Sequence, residues 1–584
     1  LFLTVASAAA AQSTGSPGMR LVATVPQMGP VGYRDPLGVV SPSGDWLAFT
    51  SGDAINVVKT AGGPIRSLAR FNGVSSIAWH GGDDTIAALT NDGTRWRWVF
   101  IDARDGKTRD AWTGTFATAT PGFGEQTDPH RFGAAAWSRD GARLAGITYS
   151  PKASSVWIGN ADGTQGRTVS TGGFFSFPTW TPDGATLACL EMSGGHQRVS
   201  LPCAGGAASP VSIEAYGPIA FSPDGRTLYF GSPNARGTLE LYAQPLSGGG
   251  SPRRLASFPR DTYMPSVTRR GNVLFGAQDY RTSIAVAPAT GGGGPVRQVT
   301  AFQSETPSWS RDDRTIAFTF GSWRTVLDDM RYPNIAQDLG VVRADGGAPA
   351  AKPARVVRAS PSEDQGLDWS PDGRWIALHS HENGLDDVWL QPADGSAPAR
   401  PITKGGYETG WPRWSPDGKW VAYSTEVFDA NGLVHGVAFV VGVNQMGVVT
   451  EQARRIPIDG VDGDIDAVEW LTADSLVLLA GLANRKAIYV ASRDGGPART
   501  VHRFTSEQHF SGVGVSTKGR WVAFVAPGPD GHFQVFRVPL AGGTPQQVTT
   551  DPTDKTQPSV SHDGVSIAFT VFSYQMKFWL MESP

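Results

Sequence analysis

Trp369-Ser370-Pro371-Asp372-Gly373-Arg374-Trp375-Ile376-Ala377-Leu378 is the stretch whose reading decides the fold. Pro-Asp-Gly is a tight turn: proline presets φ, the aspartate side chain bonds nearby backbone N–H groups, and glycine accepts positive φ. An aromatic residue ends the strand before the turn, and an alternating strand follows it. Further along come a third strand, Val388-Trp389-Leu390, an Asp-Gly turn at Asp394-Gly395, and a fourth strand, Arg400-Pro401-Ile402-Thr403. The four strands are named a, b, c and d below.

The signature repeats along the chain. Close copies are Trp180-Thr-Pro-Asp-Gly184, Phe221-Ser-Pro-Asp-Gly225 and Trp414-Ser-Pro-Asp-Gly418. Weaker copies stand at Ser41, Trp137, Trp309, Val515 and Val560, and degenerate ones near Trp79, Val267 and Trp470. Twelve copies at spacings of mostly about 41–46 residues suit one four-stranded propeller blade each. Longer intervals near 94–130, 321–360 and 426–460 read as loop insertions. Seven of the nineteen tryptophans (79, 137, 180, 309, 369, 414, 470) end a strand a, four (46, 375, 420, 521) begin a strand b, and three (157, 389, 579) lie on strand c. These fourteen are expected to pack between blades.

Composition agrees with many short strands. Gly (72) and Pro (42) make up about a fifth of the 584 residues, and hydrophobic residues reach 40 %, enough for a core. The net charge is −3 and no long basic run occurs, which excludes a nucleic-acid footprint. No stretch after the N-terminus approaches the ~18 apolar residues of a membrane span.

Leu1–Ser7 is apolar, and Ala9 and Ala11 suit signal-peptidase cleavage before Gln12. Residues 1–11 therefore read as part of a signal peptide and 12–19 as a flexible leader, placing the protein in the periplasm or outside the cell. Export would permit a disulfide. Cys189 and Cys203 fall on consecutive strands of one proposed hairpin, where residues summing to about 392 would face each other; a cross-strand disulfide and two separate thiols are the two readings.

The final repeat supplies strands a, b and c, ending at Lys577–Met581, while Leu21–Val25 is an orphan strand d. A propeller hides its sheet edges by letting a terminal strand complete the opposite end. Two six-bladed rings use these strands: Leu21–Val25 completes the sixth blade near Ser283–Ala289, and Val296–Thr300 starts the second ring and completes the twelfth blade. The boundary then falls in Gly291–Gly294, giving an N-terminal β-propeller at 20–294 and a C-terminal one at 295–584. A five-plus-seven split is the rival. The fold class is all-β, tandem β-propellers of about twelve four-stranded blades.

Trp-Ser-Pro-Asp-Gly-Lys/Arg-Trp-Ile/Val-Ala, followed by an Asp-Gly turn and a Leu/Ile/Val-Thr strand, resembles the TolB-like β-propeller repeat, which is WD-repeat-like. It also resembles the propellers of tricorn and the N-terminal propellers of prolyl-oligopeptidase-type peptidases. The resemblance implies partners in the cell envelope, chiefly proteins or peptides, and it extends faintly to oligogalacturonate lyases.

Catalytic signatures are missing from the sequence. There is no Gly-x-Ser-x-Gly elbow, no phosphate-binding Gly-x-x-x-x-Gly-Lys-Ser/Thr and no Cys/His zinc spacing. His379 and His381, followed by Glu382, would share a strand face as two metal ligands might, although other repeats carry ordinary residues such as Thr319 or Ser424 there. Seven residues before the turn serine, repeats seven to twelve carry Gln303, Glu363, Glu408, Asp464, His509 and Asp554. The first six carry Arg34, Gly73, Arg131, Phe174, Ala215 and Asp261. The loop from strand d to strand a lines a channel mouth, so four carboxylates would gather at the second ring's opening. They suit a divalent cation such as calcium or a basic segment; solvated turn residues are the alternative. Aromatic residues on the same rims (Phe174, Phe175, Phe177, Tyr263, Tyr407, Trp411) suit a peptide, a saccharide or core capping.

The sequence thus points to a non-catalytic binding scaffold for a protein, peptide or saccharide partner. The alternatives are a carbohydrate-active or metal-dependent, lyase-like enzyme working in a channel, and an accessory propeller of a separately encoded peptidase.

Overall fold

A computed structural model of the chain describes residues 18–582 and 584, apart from 28–36, 52–53, 72–73, 81–83, 92–95, 114–134, 151–152, 162–163, 194–195, 203–208, 235–238, 248–249, 259–261, 322–324, 327–333, 336, 346, 361–363, 381, 383–385, 406–409, 429–433, 462, 482–485, 505–511, 517 and 519. The described residues form eight four-stranded antiparallel sheets, a seven-stranded one in which Arg167–Trp180 joins two blades, a six-stranded one, and two short strand pairs. No helix among them is long and apolar enough to cross a membrane.

Each repeat makes one blade because the turn closes itself. Ser370 Oγ donates to Asp372 Oδ1 (2.6 Å), which also accepts the Arg374 N–H (3.1 Å). The Ser370 hydroxyl oxygen accepts the Trp375 N–H at 2.9 Å. Gly373, at φ 71°, donates its N–H to the Ser370 carbonyl. The same bonds recur at Ser138, Thr181, Ser222, Ser310, Ser415 and Ser561. At the far end of the blade, the Val-Thr or Ile-Thr of strand d uses its hydroxyl. Thr300, Thr403 and Thr549 each accept a strand-c N–H, from Ile284, Val388 and Val535.

Blades pack face to face through one hydrophobic cluster per boundary. Leu339, Leu367 and Leu378 join blades 7 and 8; Trp414, Val421 and Val441 meet Val388 and Leu390 between blades 8 and 9. Twelve such clusters run around the described residues. Burying these Leu, Ile, Val and aromatic side chains is the dominant favourable term, at ~25 cal/mol per Å² of apolar surface. The tryptophan ending strand a adds direction. Its indole N–H donates to the preceding blade's strand-a carbonyl in four places: Trp79 to Val39, Trp180 to Ala136, Trp309 to Ser559 and Trp470 to Arg413, at 2.8–3.1 Å. That carbonyl belongs to a residue paired with strand b of its own blade, so the indole uses the oxygen's second lone pair and ties one blade to the next.

Six blades close one ring and six the other. Strand a of blade 12 lies against strand a of blade 7, and blade 6 lies against blade 1. The ring closure differs from the sequence expectation. Val273–Pro288 and Ser566–Met581 are single unbroken strands that pair with each other along their whole length, Val273 opposite Met581 and Pro288 opposite Ser566. Val273–Arg281 is strand b of blade 6, whereas Ser283–Pro288 is strand c of blade 12. Conversely Ser566–Ser573 is strand b of blade 12 and Tyr574–Met581 is strand c of blade 6. Met19–Gln27 completes blade 6 by pairing with Tyr574–Met581, so it does not sit beside Ser283–Ala289. Arg297-Gln298 completes blade 12 beside Ala285 and Val286.

The two rings therefore exchange a strand, and a cut at 294 does not separate them. The physical reason lies in the middle of each long strand. Asp279-Tyr280-Arg281-Thr282 and Phe572-Ser573-Tyr574-Gln575 offer no Gly, Pro or Asn for a hairpin, so the chain runs straight on.

Asp313 is a second closing device. It occupies the glycine position of the blade 7 turn at φ 56°. Its carboxylate accepts the His562 N–H (2.7 Å) and Asp563 N–H (2.9 Å) from the blade 12 turn, and stands 3.1 Å from His562 Nδ1. The left-handed backbone costs ~1 kcal/mol for a non-glycine residue, and charged hydrogen bonds return more.

Two outcomes are expected. Full-length protein unfolds in one calorimetric transition, and residues 18–294 expressed alone fail to fold cooperatively because blade 6 lacks its strand c; a stable, soluble 18–294 fragment contradicts the exchange. Asp313→Gly relieves the backbone but loses the staple, and denaturant unfolding should show it ~1 kcal/mol less stable than wild type.

Candidate functional site

Successive strands a touch one another around each ring, so they surround its axis. Side chains at equivalent positions of these strands form layers along the channel. Two residues before the turn Ser or Thr, or its equivalent, the first ring carries Val39, Ala78, Ala136, Thr179, Ala220 and Ser266. The second ring carries Ser308, Asp368, Arg413, Glu469, Gly514 and Ser559. Three of the twelve positions are charged, and they fall on the adjacent blades 8, 9 and 10.

The three side chains meet. Arg413 Nε donates to Glu469 Oε1 in an ion pair, with both groups largely enclosed (side chains 13 % and 20 % exposed). Arg413 also reaches the carbonyls of Pro412 (3.0 Å), Gly366 and Leu367 (both 3.4 Å), tying blade 9 to blade 8. Asp368 Oδ2 accepts the Trp414 N–H at 2.7 Å. Burial pushes the Glu469 carboxyl up to about 7; the Asp368 charge adds to this and Arg413 opposes it. Burial likewise raises Asp368, against the Arg413 charge. Two carboxylates beside one guanidinium cannot both ionise freely, so the pair titrates as a unit.

One layer toward the loops between strands d and a, the half-buried Trp411 lies against two other blades. A Cβ on Gly366 (blade 8) would stand 2.5 Å from Trp411 Cδ1 and 2.8 Å from its Cα, and a Cβ on Gly512 (blade 11) would stand 2.7 Å from Cζ3. The indole of blade 9 thus lies across the axis, from the blade beside it to one two blades away. Strand a breaks register at this level in blades 7, 8 and 12. Thr306, Gly366 and Gln557 take positive φ there, a bulge that re-aims side chains. The Arg413 guanidinium lies 5.7 Å from the Trp411 ring centre.

Of the mouth residues expected from sequence, Glu363, Tyr407, Glu408, His509 and His381 lie outside the described residues. Asp464 and Asp554 serve the backbone. Asp464 Oδ1 accepts the Gly436 N–H (2.9 Å) and Asp554 Oδ1 the Phe533 N–H (2.8 Å), each pinning strand c of the preceding blade. Gln303 is half-buried at the start of blade 7. Phe175 is buried between blades 3 and 4, and Phe177 packs at the boundary of blades 4 and 5. His379 is buried, in register with Gln365 and Val388. No group of three or more His, Cys, Asp or Glu stands together as a metal site among the described residues. Cys189 is disulfide-bonded, and the only other cysteine in the sequence is Cys203. The hairpin register sums to 389, with Ser193 opposite His196 and Ser200 opposite Cys189.

Glu469 gives a pH prediction. Its pKa is raised by folding, so the folded protein holds an extra proton between about 4.5 and about 7, and this group's contribution to stability falls as pH rises through that window. Glu469→Gln removes the effect. The melting temperature of the variant minus that of wild type should therefore increase from pH 5 to pH 8; a constant difference contradicts the raised pKa.

A family model described as the TolB beta propeller domain matches residues 132–329. Among solved structures, the tricorn protease aligns at 12 % identity over 88 % of this chain and 62 % of that chain, with a TM-score of 0.31; this chain thus spans about three fifths of its length. A putative TolB from Agrobacterium tumefaciens aligns at 15 % identity over 70 % of this chain and 94 % of that one, TM-score 0.16. A GH74 enzyme from Niastella koreensis aligns at 11 % identity over 94 % and 99 %, TM-score 0.33. No curated protein matches. Residues 132–329, which carry the turn signature at Trp137, Trp180, Phe221 and Trp309, thus match the TolB beta propeller domain, within a chain whose described residues form antiparallel blade-like sheets.

Proposed function

We propose that this protein is a non-catalytic scaffold that holds a protein or peptide partner in the periplasm or cell envelope, with the second ring's channel as its contact for a basic group. One observation carries the reading: Asp368, Arg413 and Glu469 stand together where the other nine repeats place uncharged residues. Burying ions is costly, and apolar residues of similar volume are often more stable there. Charges kept at such a cost belong to a task other than stability. With both acids ionised the layer has a net charge of −1, which favours a lysine or arginine side chain. The rigid blades around it supply a preorganised wall. The export reading of Leu1–Ala11 and the disulfide at Cys189 support an oxidising compartment outside the cytoplasm.

The test uses fluorescein-labelled hexalysine, with hexaglutamate and neutral oligosaccharides as controls, at pH 8 and two salt concentrations. Wild type should bind hexalysine preferentially, and Asp368→Asn/Glu469→Gln should weaken binding about tenfold. Equal binding of hexalysine by wild type and the double variant, or preference for an oligosaccharide, rejects the reading.

A further inference from the structure

Blades 12 and 7 meet at their outer edges beside a connection that departs from the repeat. Between strands c and d, blade 8 reads Ala393-Asp394-Gly395-Ser396-Ala397-Pro398-Ala399-Arg400. Blade 7 reads Ala344-Asp345-Gly346-Gly347-Ala348-Pro349-Ala350 and then, before Arg355, carries the insertion Ala351-Lys352-Pro353-Ala354. The longer segment is fixed at three points. Ala350 bridges to Thr300 of blade 12: its N–H donates to the Val299 carbonyl (2.9 Å) and its carbonyl accepts the Ala301 N–H (2.8 Å). The Ala354 N–H donates to the Val341 carbonyl at 2.9 Å. Pro353 seats on Gly340, where an added Cβ would stand 3.1 Å from the proline Cβ.

Between this segment and strand d of blade 12 lies a cavity of about 400 Å³, a size that suits small organic ligands. Val299, Val342 and Pro353 give it apolar walls. Three cations, Arg297, Arg343 and Lys352, stand around it against one carboxylate, Asp345. Two of the cations are already engaged. Arg297 donates to the Ala344 carbonyl, and Arg343 pairs with Asp345, Nε to Oδ1 at 2.9 Å. Lys352, which the insertion supplies, is exposed and has no hydrogen-bond or ion-pair partner among the described residues. We propose that this cavity binds an organic anion, a carboxylate or phosphate carried on an apolar body, and that Lys352 selects its charge. The excess positive charge attracts the anion, and the Lys352 ammonium gives it a charge-assisted hydrogen bond. The walls take the apolar body out of water. The three anchors hold the segment in place before the ligand arrives, which lowers the ordering cost of binding. Strand d is the outermost strand of a blade, so this site is separate from the channel of the second ring and does not rest on the role proposed for it.

Isothermal titration calorimetry of full-length protein at low salt tests the site with phenyl phosphate and 3-phenylpropionate. Benzylamine and benzyl alcohol are controls for charge, and inorganic phosphate is the anion without an apolar body. Both aromatic anions should bind more tightly than all three controls, and their order tells a phosphate ligand from a carboxylate. Lys352→Glu should weaken both about tenfold, and Lys352→Gln by a smaller factor. Lys352 is exposed, so both variants should melt at the wild-type temperature. Aromatic anions bound no more tightly than benzylamine or inorganic phosphate overturn the proposal, as does equal binding by wild type and Lys352→Glu. Hexalysine binding should be the same in wild type and Lys352→Glu, so this site and the channel can fail independently.

Discussion

The pairing of Val273–Pro288 with Ser566–Met581 holds the molecule together. Every other blade is a local product of its own repeat. Blades 6 and 12 are not: each draws its strand c from the other's stretch of chain, and each long strand belongs to both rings. An open ring would expose strand edges able to template association. Here both rings are closed by the same ladder, so neither can open without disturbing the other. This makes the rings one cooperative unit despite the quasi-independent character of repeat architectures.

Much of the fold was legible because the repeat writes its chemistry into the sequence. Ser370-Pro371-Asp372-Gly373 announces a turn that the structure closes with the hydrogen bonds its residue types permit. Leu21–Val25 reads as an orphan strand d, and Met19–Gln27 does pair onto the sheet of Val273–Arg281 through Tyr574–Met581. The strand exchange was harder to see. Its only local sign is the lack of Gly, Pro or Asn at Asp279–Thr282 and Phe572–Gln575, and a missing signal is easily filled in by analogy with neighbouring repeats. The cysteine register failed for a related reason: Ser193 pairs with His196, which shifts every partner, so Cys189 faces Ser200.

The candidate site was legible only by position. Counting seven residues before each turn serine selected Asp464 and Asp554, which accept backbone N–H groups from the preceding blade. Counting two residues selects Asp368, Arg413 and Glu469. No local motif separates these choices, because a carboxylate near a loop can equally pin a strand or face a ligand. What decides is where the inner strand brings its side chains, and that depends on ring closure over hundreds of residues.

The two rings share one repeat but not one interior. In the first, the layer that would carry charge holds Val39, three alanines, Thr179 and Ser266. In the second, charge has entered at three consecutive blades, and one layer above it Trp411 is accommodated by Gly366 and Gly512. These features depend on each other. A tryptophan across the axis requires small residues on both facing blades, and sealing the layer from the loop side keeps water scarce there, which strengthens the Arg413–Glu469 attraction and raises the Glu469 pKa together. Removing the indole would weaken both. The charged layer, the glycines and the tryptophan are therefore features of only one of the two rings, and that asymmetry is what the proposed function draws on.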